Sequence, residues 1–306
     1  MRRLVLLLLL ALVLPTLAGT TVINSFVFSG GGGGGSLPLD SYSTNLLAAY
    51  SVPRRLLTSY TGNLIKIRRS SDDTTSDIGY NGSNELDTTA ISTFVGSNSA
   101  YIHTIYDQSG NGYNLVMATN AAQMRIVNAG TNDTLASKPV AYNSAGFQSA
   151  GYATATFTAY TGTTLSCFAR GLTGSNADYY ARFVGLSKDA GVDYTPPSNA
   201  ALILQSAGGG NWVTYRASDL GNTINTPATS DGLISAIADG TNLKLRDGTN
   251  TGTAASSASW DFNRILLGYQ TATSSGIGSG AKFAEVVLWT SDQTSNEAAI
   301  RSALTY

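Results

Sequence analysis

Apolar positions along the chain come in short runs punctuated by Gly, Ser, Thr, Asn and Asp, with no heptads and no fixed-period repeat. Strands are predicted at 64–69, 101–106, 115–117, 140–142, 156–160, 164–169, 180–186, 200–205, 212–217, 233–238, 243–247, 265–269 and 282–289. A spacing of about ten residues with turn signals between them is the pattern of an all-β sandwich. Segment 46–57 reads equally as a short helix or as a strand interrupted at Pro53. Helix is otherwise expected only at 298–304, where Ala298, Ile300, Ala303 and Leu304 form an apolar face behind a Ser295 N-cap. Asp239-Gly240 and Asp247-Gly248 predict tight hairpin turns.

Two stretches are more particular. Between the strand ending at Tyr106 and the one starting at Leu115 lies Asp107-Gln108-Ser109-Gly110-Asn111-Gly112-Tyr113-Asn114. Its glycines admit positive φ, and its Asp, Ser and Asn side chains bond nearby backbone, which makes it a built turn. Upstream, the partial alternation of Leu64, Lys66 and Arg68 against Ile65, Ile67 and Arg69 ends in Ser70-Ser71-Asp72-Asp73-Thr74. Together these stretches resemble the N-terminal part of the catalytic domain of arabinofuranosidase B enzymes, which carry a similar Arg-x-Ser-Asp-Asp-Thr strand end and a similar Ile-Tyr-Asp-Gln-Ser-Gly-Asn-Gly turn. The resemblance covers residues 50–115 strongly and is traceable to Tyr306. It implies a concanavalin-like jelly-roll β-sandwich with a short C-terminal helix, and the closing block from Ala281 to Leu304 looks like the last strand and packed helix of laminin-G-like domains.

Composition narrows the partners. Charged residues make up 12% of the chain and the net charge is −1, so the basic face that displaces counterions from a phosphate backbone is missing and nucleic acid is not an expected partner. The single cysteine, Cys167, lies in an apolar run and reads as a buried thiol. No metal site and no cofactor is expected. Asp107 and the Asp72/Asp73 pair read first as caps of backbone amides, with a calcium site as the lesser reading.

The start of the chain has its own character. Met1-Arg2-Arg3, an apolar run over 4–14 and the small residues near Ala18 make residues 1–18 a signal peptide or an apolar N-terminal anchor. Residues 19–36, including Gly30 to Gly35, form a flexible linker, and 37–306 form the sandwich domain. A secreted or extracellular-surface location follows, with a virion surface as the alternative. A membrane is contacted only through the N-terminal segment if it is retained.

Retaining glycosidases need two carboxyl groups about 5–5.5 Å apart, one as nucleophile and one as acid/base. Aligned on the resembled family, the nucleophile position falls on Ser218, in Trp212-Val213-Thr214-Tyr215-Arg216-Ala217-Ser218-Asp219, and the acid/base position falls on Ala272, after Leu266-Leu267-Gly268-Tyr269-Gln270-Thr271. Neither is acidic. Asp219, one residue off, is the fallback nucleophile; a slip of one turns a strand side chain to the other face. The only histidine, His103, sits in the strand before the built turn and reads as structural, as does Glu285 within 282–289. The expected function is therefore a non-catalytic carbohydrate-binding or surface-displayed structural module, with Trp212, Arg216, Asp219, Tyr269 and Gln270 as ligand-binding candidates. An active hydrolase releasing α-L-arabinofuranosyl residues from polysaccharide is the alternative. Glycan or polysaccharide is the expected partner, with a homo-oligomer or a particle assembly as further contexts.

Overall fold

The computed structural model describes residues 36–144, 153–172, 181–188, 200–207, 211–215, 224–227, 232–256, 259–268 and 280–306, the strands at 200–207, 211–215 and 224–227 by their backbone. Chain order begins with β1 (Leu46–Ser51), β2 (Ile65–Arg69), β3 (Thr75–Ile78), helix α1 (Thr88–Val95), β4 (Ala100–Ile105), β5 (Leu115–Val116) and β6 (Arg125–Asn128). Short ladders follow in β7 (Thr131–Asn132), β8 (Thr134–Leu135), β9 (Lys138–Pro139) and β10 (Ala141–Tyr142). Next come β11 (Ala153–Gly162), β12 (Thr164–Leu172), β13 (Ala181–Ser187), β14 (Ala200–Ala207), β15 (Asn211–Tyr215) and β16 (Ile224–Pro227). The chain closes with β17 (Leu233–Asp239), β18 (Asn242–Asp247), β19 (Asn250–Ala255), β20 (Trp260–Leu267), β21 (Lys282–Trp289) and helix α2 (Glu297–Leu304).

All pairings are antiparallel. One layer runs β1, β21, β12, β17, β18, β19, with β10 beside the start of β21. The other runs β3, β2, β4, β5, β11, β20, β13, β14, β15, β16. Strand β6 pairs with both β4 and β10, so the layers are two arms of one curled sheet. This is the expected β-sandwich.

Why the sheet takes this arrangement is written in β21. Val286 and Leu288 face the core between the arms, whereas Val287 and Trp289 face a second apolar layer under α2 and residues 39–57. A strand buried on both faces needs a continuous apolar run, and residues 286–289 supply one. Phe168 of β12 meets Trp289 edge-on at 5.5 Å, and the Trp289 indole N–H donates to the Tyr42 carbonyl at 2.7 Å. A bulge between Arg170 and Gly171, opposite Glu285 and Phe283, turns Phe283 into the main core, where it stacks on Phe183 at 4.3 Å. Gly171 permits that approach: a Cβ there would lie 2.0 Å from the Lys282 carbonyl oxygen and 2.4 Å from the Phe183 ring.

The Asp107 turn closes the other side of β1. Asp107 Oδ1 accepts from the amides of Ala49 and Ser109 at 2.9 Å, and Oδ2 accepts from the Ser109 hydroxyl at 2.8 Å and the Tyr113 amide at 3.1 Å. The Gln108 amide donates to the Ala49 carbonyl, its side chain accepts from Leu56 N and donates to Arg54 O, and Asn111 Nδ2 donates to the carbonyls of Leu46 and Leu47. Gly110 and Gly112 take φ of +91° and +77° inside this turn. Asp107 thus caps amides, as its setting among Ser, Gly and Asn predicts.

Segment 46–57 resolves as a strand that stops at Ser51, before Pro53. At the C-terminus the N-cap position of α2 is Asn296 rather than Ser295, because Thr294–Asn296 forms a 3₁₀ turn ahead of the helix, and no side chain caps it. Helix α1 was not anticipated; its N-cap, Asp87, accepts from the Ala90 amide at 2.9 Å. The two Asp-Gly hairpins form as expected: Asp239 accepts from the amides of Thr241 and Asn242, and Gly240 and Gly248 have φ of +92° and +57°.

Three outcomes test this account. Gly171→Ala is expected to abolish cooperative unfolding or lower stability by more than about 3 kcal/mol in urea titration, since neither clashing atom is the free end of a flexible side chain. Asp107→Ala, which leaves buried amides unpaired, is expected to cost about 3 kcal/mol in the same measurement, and Ser109→Ala about 1 kcal/mol. Cys167 is fully buried and burial pushes its thiol up, so it should stay unmodified by a thiol reagent until the chain unfolds.

Candidate functional site

Strands β15 and β20 lead into the two segments that the sequence marks for chemistry. They lie in the same arm, separated by β14 and β13. Thr214 pairs with Leu204, and Leu204 shares Val184 with Leu267, so the ends of both strands sit on one row of the ladder. Three ladder steps place them about 14 Å apart. Three antiparallel pairings make β15 and β20 antiparallel, so the chain leaves that row in opposite directions. The ladder itself therefore does not set a carboxylate pair at the 5–5.5 Å separation of a retaining enzyme.

Among the ligand-binding candidates, Trp212 lies in β15, opposite Ser206 and Thr226. Arg216, Ser218, Asp219, Tyr269, Gln270 and Ala272 lie outside the described residues.

The described carboxylates are all engaged. Arg54 reaches Glu285 through two nitrogens, at 2.7 and 3.3 Å, and the Ser51 hydroxyl donates to the same carboxylate. Asp133 holds Arg125 through two bonds at 2.7 and 2.8 Å, and Glu85 holds Lys138 at 2.5 Å. Asp73 takes Arg68, Asp77 takes the Tyr106 hydroxyl, Asp261 takes Lys188 and Glu297 takes the Ser235 hydroxyl. Arg69 and Thr74 bind Asp72, and the Arg69 guanidinium holds its carboxyl well below the usual range. Lys244, with the Asn242 and Thr241 amides, holds Asp239 down at about 2. Asp40, Asp87 and Asp292 accept from backbone amides, and buried Asp247 is engaged as well. The remaining acidic residues, Asp178, Asp189, Asp193, Asp219 and Asp231, lie outside the described residues.

The other titratable candidates take structural positions. His103 stands in β4 with Nδ1 at 2.8 Å from the Thr104 hydroxyl. Glu285 points into the layer beneath α2, where Arg54 also caps the Ala303 carbonyl and Arg170 the Leu304 carbonyl. Both guanidiniums lie over the Tyr306 ring, Arg170 at 3.9 Å and Arg54 at 4.9 Å from its centre. This Glu–Arg–Tyr cluster was not anticipated from sequence. Its one local signal is an acidic residue inside an otherwise apolar strand, which requires a buried cation. Among the described residues no group of three or more His, Cys, Asp or Glu is arranged to hold a metal ion.

Comparisons place this geometry among known proteins. Residues 38–181 match the family model described as "Alpha-L-arabinofuranosidase B, catalytic". Alpha-L-arabinofuranosidase B of Aspergillus niger is 40% identical over 85 residues, which are 26% of this chain and 17% of that protein. The alpha-L-arabinofuranosidase of Hypocrea jecorina is 38% identical over 84 residues, with the same shares. The match thus spans under a fifth of the length of these relatives. Among solved structures, a mutant GH54 α-L-arabinofuranosidase soaked with 4-nitrophenyl α-L-arabinofuranoside superposes with a TM-score of 0.63 at 19% identity, over 87% of this chain and 65% of that one. An arabinofuranosidase complexed with arabinofuranosyl-α-1,2-xylobiose gives a TM-score of 0.53 at 20% identity over the same shares. These two likenesses establish a shared fold, and residues 38–181, just under half of the chain, are similar to the catalytic domain of arabinofuranosidase B.

Proposed function

We propose that this chain is a glycoside-hydrolase-like module that binds glycan without hydrolysing it, exported and displayed on an extracellular surface, with a virion surface as a narrower version. The match of residues 38–181 to the arabinofuranosidase B catalytic domain supports a carbohydrate-related role. What supports the non-catalytic part is that Ser218 and Ala272, the positions read from the resemblance as the catalytic pair, are not acidic, together with the engagement of every described carboxylate. Serine at the nucleophile position needs a base to activate it, and His103 is bonded within its own strand. Trp212, Arg216, Asp219, Tyr269 and Gln270 remain the proposed contacts, a set of aromatic, charged and amide side chains that suits stacking and hydrogen bonding of sugar rings.

The family resemblance also supports a second reading, an active hydrolase releasing α-L-arabinofuranosyl residues, with Asp219 as one carboxylate. The full chain and its Asp219→Ala variant are to be incubated with 4-nitrophenyl α-L-arabinofuranoside, and retention on insoluble arabinoxylan measured alongside. The expected outcome is no 4-nitrophenol above the blank and retention on arabinoxylan that falls in Trp212→Ala. Turnover by the full chain that disappears in Asp219→Ala would replace the binding reading with the enzymatic one.

A further inference from the structure

Three tyrosines from separate segments gather at the end of the β2–β3 hairpin. Tyr106 follows β4, and its amide donates to the Leu64 carbonyl at 3.0 Å. Its hydroxyl donates to Asp77 Oδ1 of β3 at 2.5 Å. Tyr60 precedes β2 and donates its hydroxyl to the Asn63 carbonyl. Tyr80 follows β3 in a bridge with Leu86, and the Arg55 guanidinium covers one face of its ring at 4.8 Å. Burial and the nearby Asp107 and Tyr80 push the Tyr60 phenol up to about 12, and Tyr60 in turn lies close enough to Tyr106 to act on its phenol.

The rings are partly exposed and held in place. Hydroxyl bonds fix Tyr60 and Tyr106, so little side-chain entropy remains to be lost when a ligand stacks on them. Two polar groups among them take no partner within the described residues: the side-chain amide of Asn63, which is exposed, and the Tyr80 hydroxyl. Glycine at 62 and 79 lets the chain pass close to these groups: a Cβ would stand 2.7 Å from the Tyr60 hydroxyl at 62 and 3.3 Å from Asn63 Oδ1 at 79.

The chemistry selects among ligands. Arg55 spends its donors on the Leu57 and Thr58 carbonyls and on Asn84 Oδ1, and the partly exposed Lys66 has the Asp77 carboxylate 3.9 Å away, so a phosphate or carboxylate ligand would meet that negative charge. The patch offers ring faces, an amide, a hydroxyl and the free lone pairs of Asp77, which is the set that recognises a neutral polyol ring. We propose that Tyr60, Asn63, Asp77, Tyr80 and Tyr106 form a surface site for a neutral sugar ring, beside β2 and β3 and far along the arm from β15, which carries Trp212. The site binds by stacking and hydrogen bonding and carries out no bond-breaking step.

The test is titration of the full chain with arabinofuranosyl-α-1,2-xylobiose, a neutral trisaccharide, followed by saturation-transfer NMR. The expected result is a Kd that rises about tenfold in Tyr80→Ala and in Asn63→Ala and stays unchanged in Trp212→Ala. Asn63→Ala removes an exposed amide that bonds nothing, so an unchanged urea midpoint in this variant separates lost binding from lost folding. Absence of binding by the unmodified chain, or an unchanged Kd in both patch variants, overturns the proposal. A loss confined to Trp212→Ala overturns it as well, while leaving the glycan-binding reading of the Trp212 segment intact. A loss confined to the patch variants supports it and moves glycan binding away from that segment.

Discussion

The interaction on which the rest depends is the closure of the β1 edge by Asp107. Strand β1 has β21 on one side; on its other side its amides and carbonyls would stand open as a template for another strand. Asp107, Gln108 and Asn111 occupy those groups with side chains and one backbone amide. One carboxylate taking four donors joins chain segments 58 residues apart, and the Tyr50 hydroxyl adds a bond to the Tyr113 carbonyl at 2.5 Å. Because Tyr50 packs in the core between the arms and Ala49 in the layer under α2, misplacing β1 would disturb both apolar clusters at once.

The second apolar layer explains the polar residues of the central strands. On the outward face of β1, β12, β17 and β21, Phe168, Ile237, Val287 and Trp289 form an apolar layer, and Ser51, Arg170, Ser235 and Glu285 are buried on the same strands. Buried charge is tolerated there because each group finds a partner: Glu285 takes Arg54, and Arg301 donates to the carbonyls of Leu233 and Arg246. A buried ion pair contributes little net stability, but losing one member leaves the other uncompensated, so these pairs fix which helix face may dock rather than how tightly.

Much of the fold was legible because both-face burial and hairpin chemistry leave local marks. Residues 282–289 read as a strand and are one, and the Asp-Gly pairs form turns. Helix α1 escaped notice because Thr and Ser dilute its apolar face to Ile91, Phe94 and Val95, although Asp87 three residues before Ala90 is a readable N-cap. The Ser295 cap failed on a different ground: a preceding 3₁₀ turn shifts the helix start by more than the sequence reveals. For the site, the reason is distance along the chain. Glu285 finds Arg54 231 residues away through the fold alone, so no spacing rule announces the pair.

The position of β21 carries a consequence for the order in which the chain is made. Strands β1, β10 and β12 all lie within the part that matches the family, yet each pairs with β21, which emerges more than a hundred residues later. During synthesis the family-matching part therefore waits with the ladders of β1, β10 and β12 unpaired on the β21 side. Such high sequence separation slows folding and leaves strand edges open to other chains in the interval.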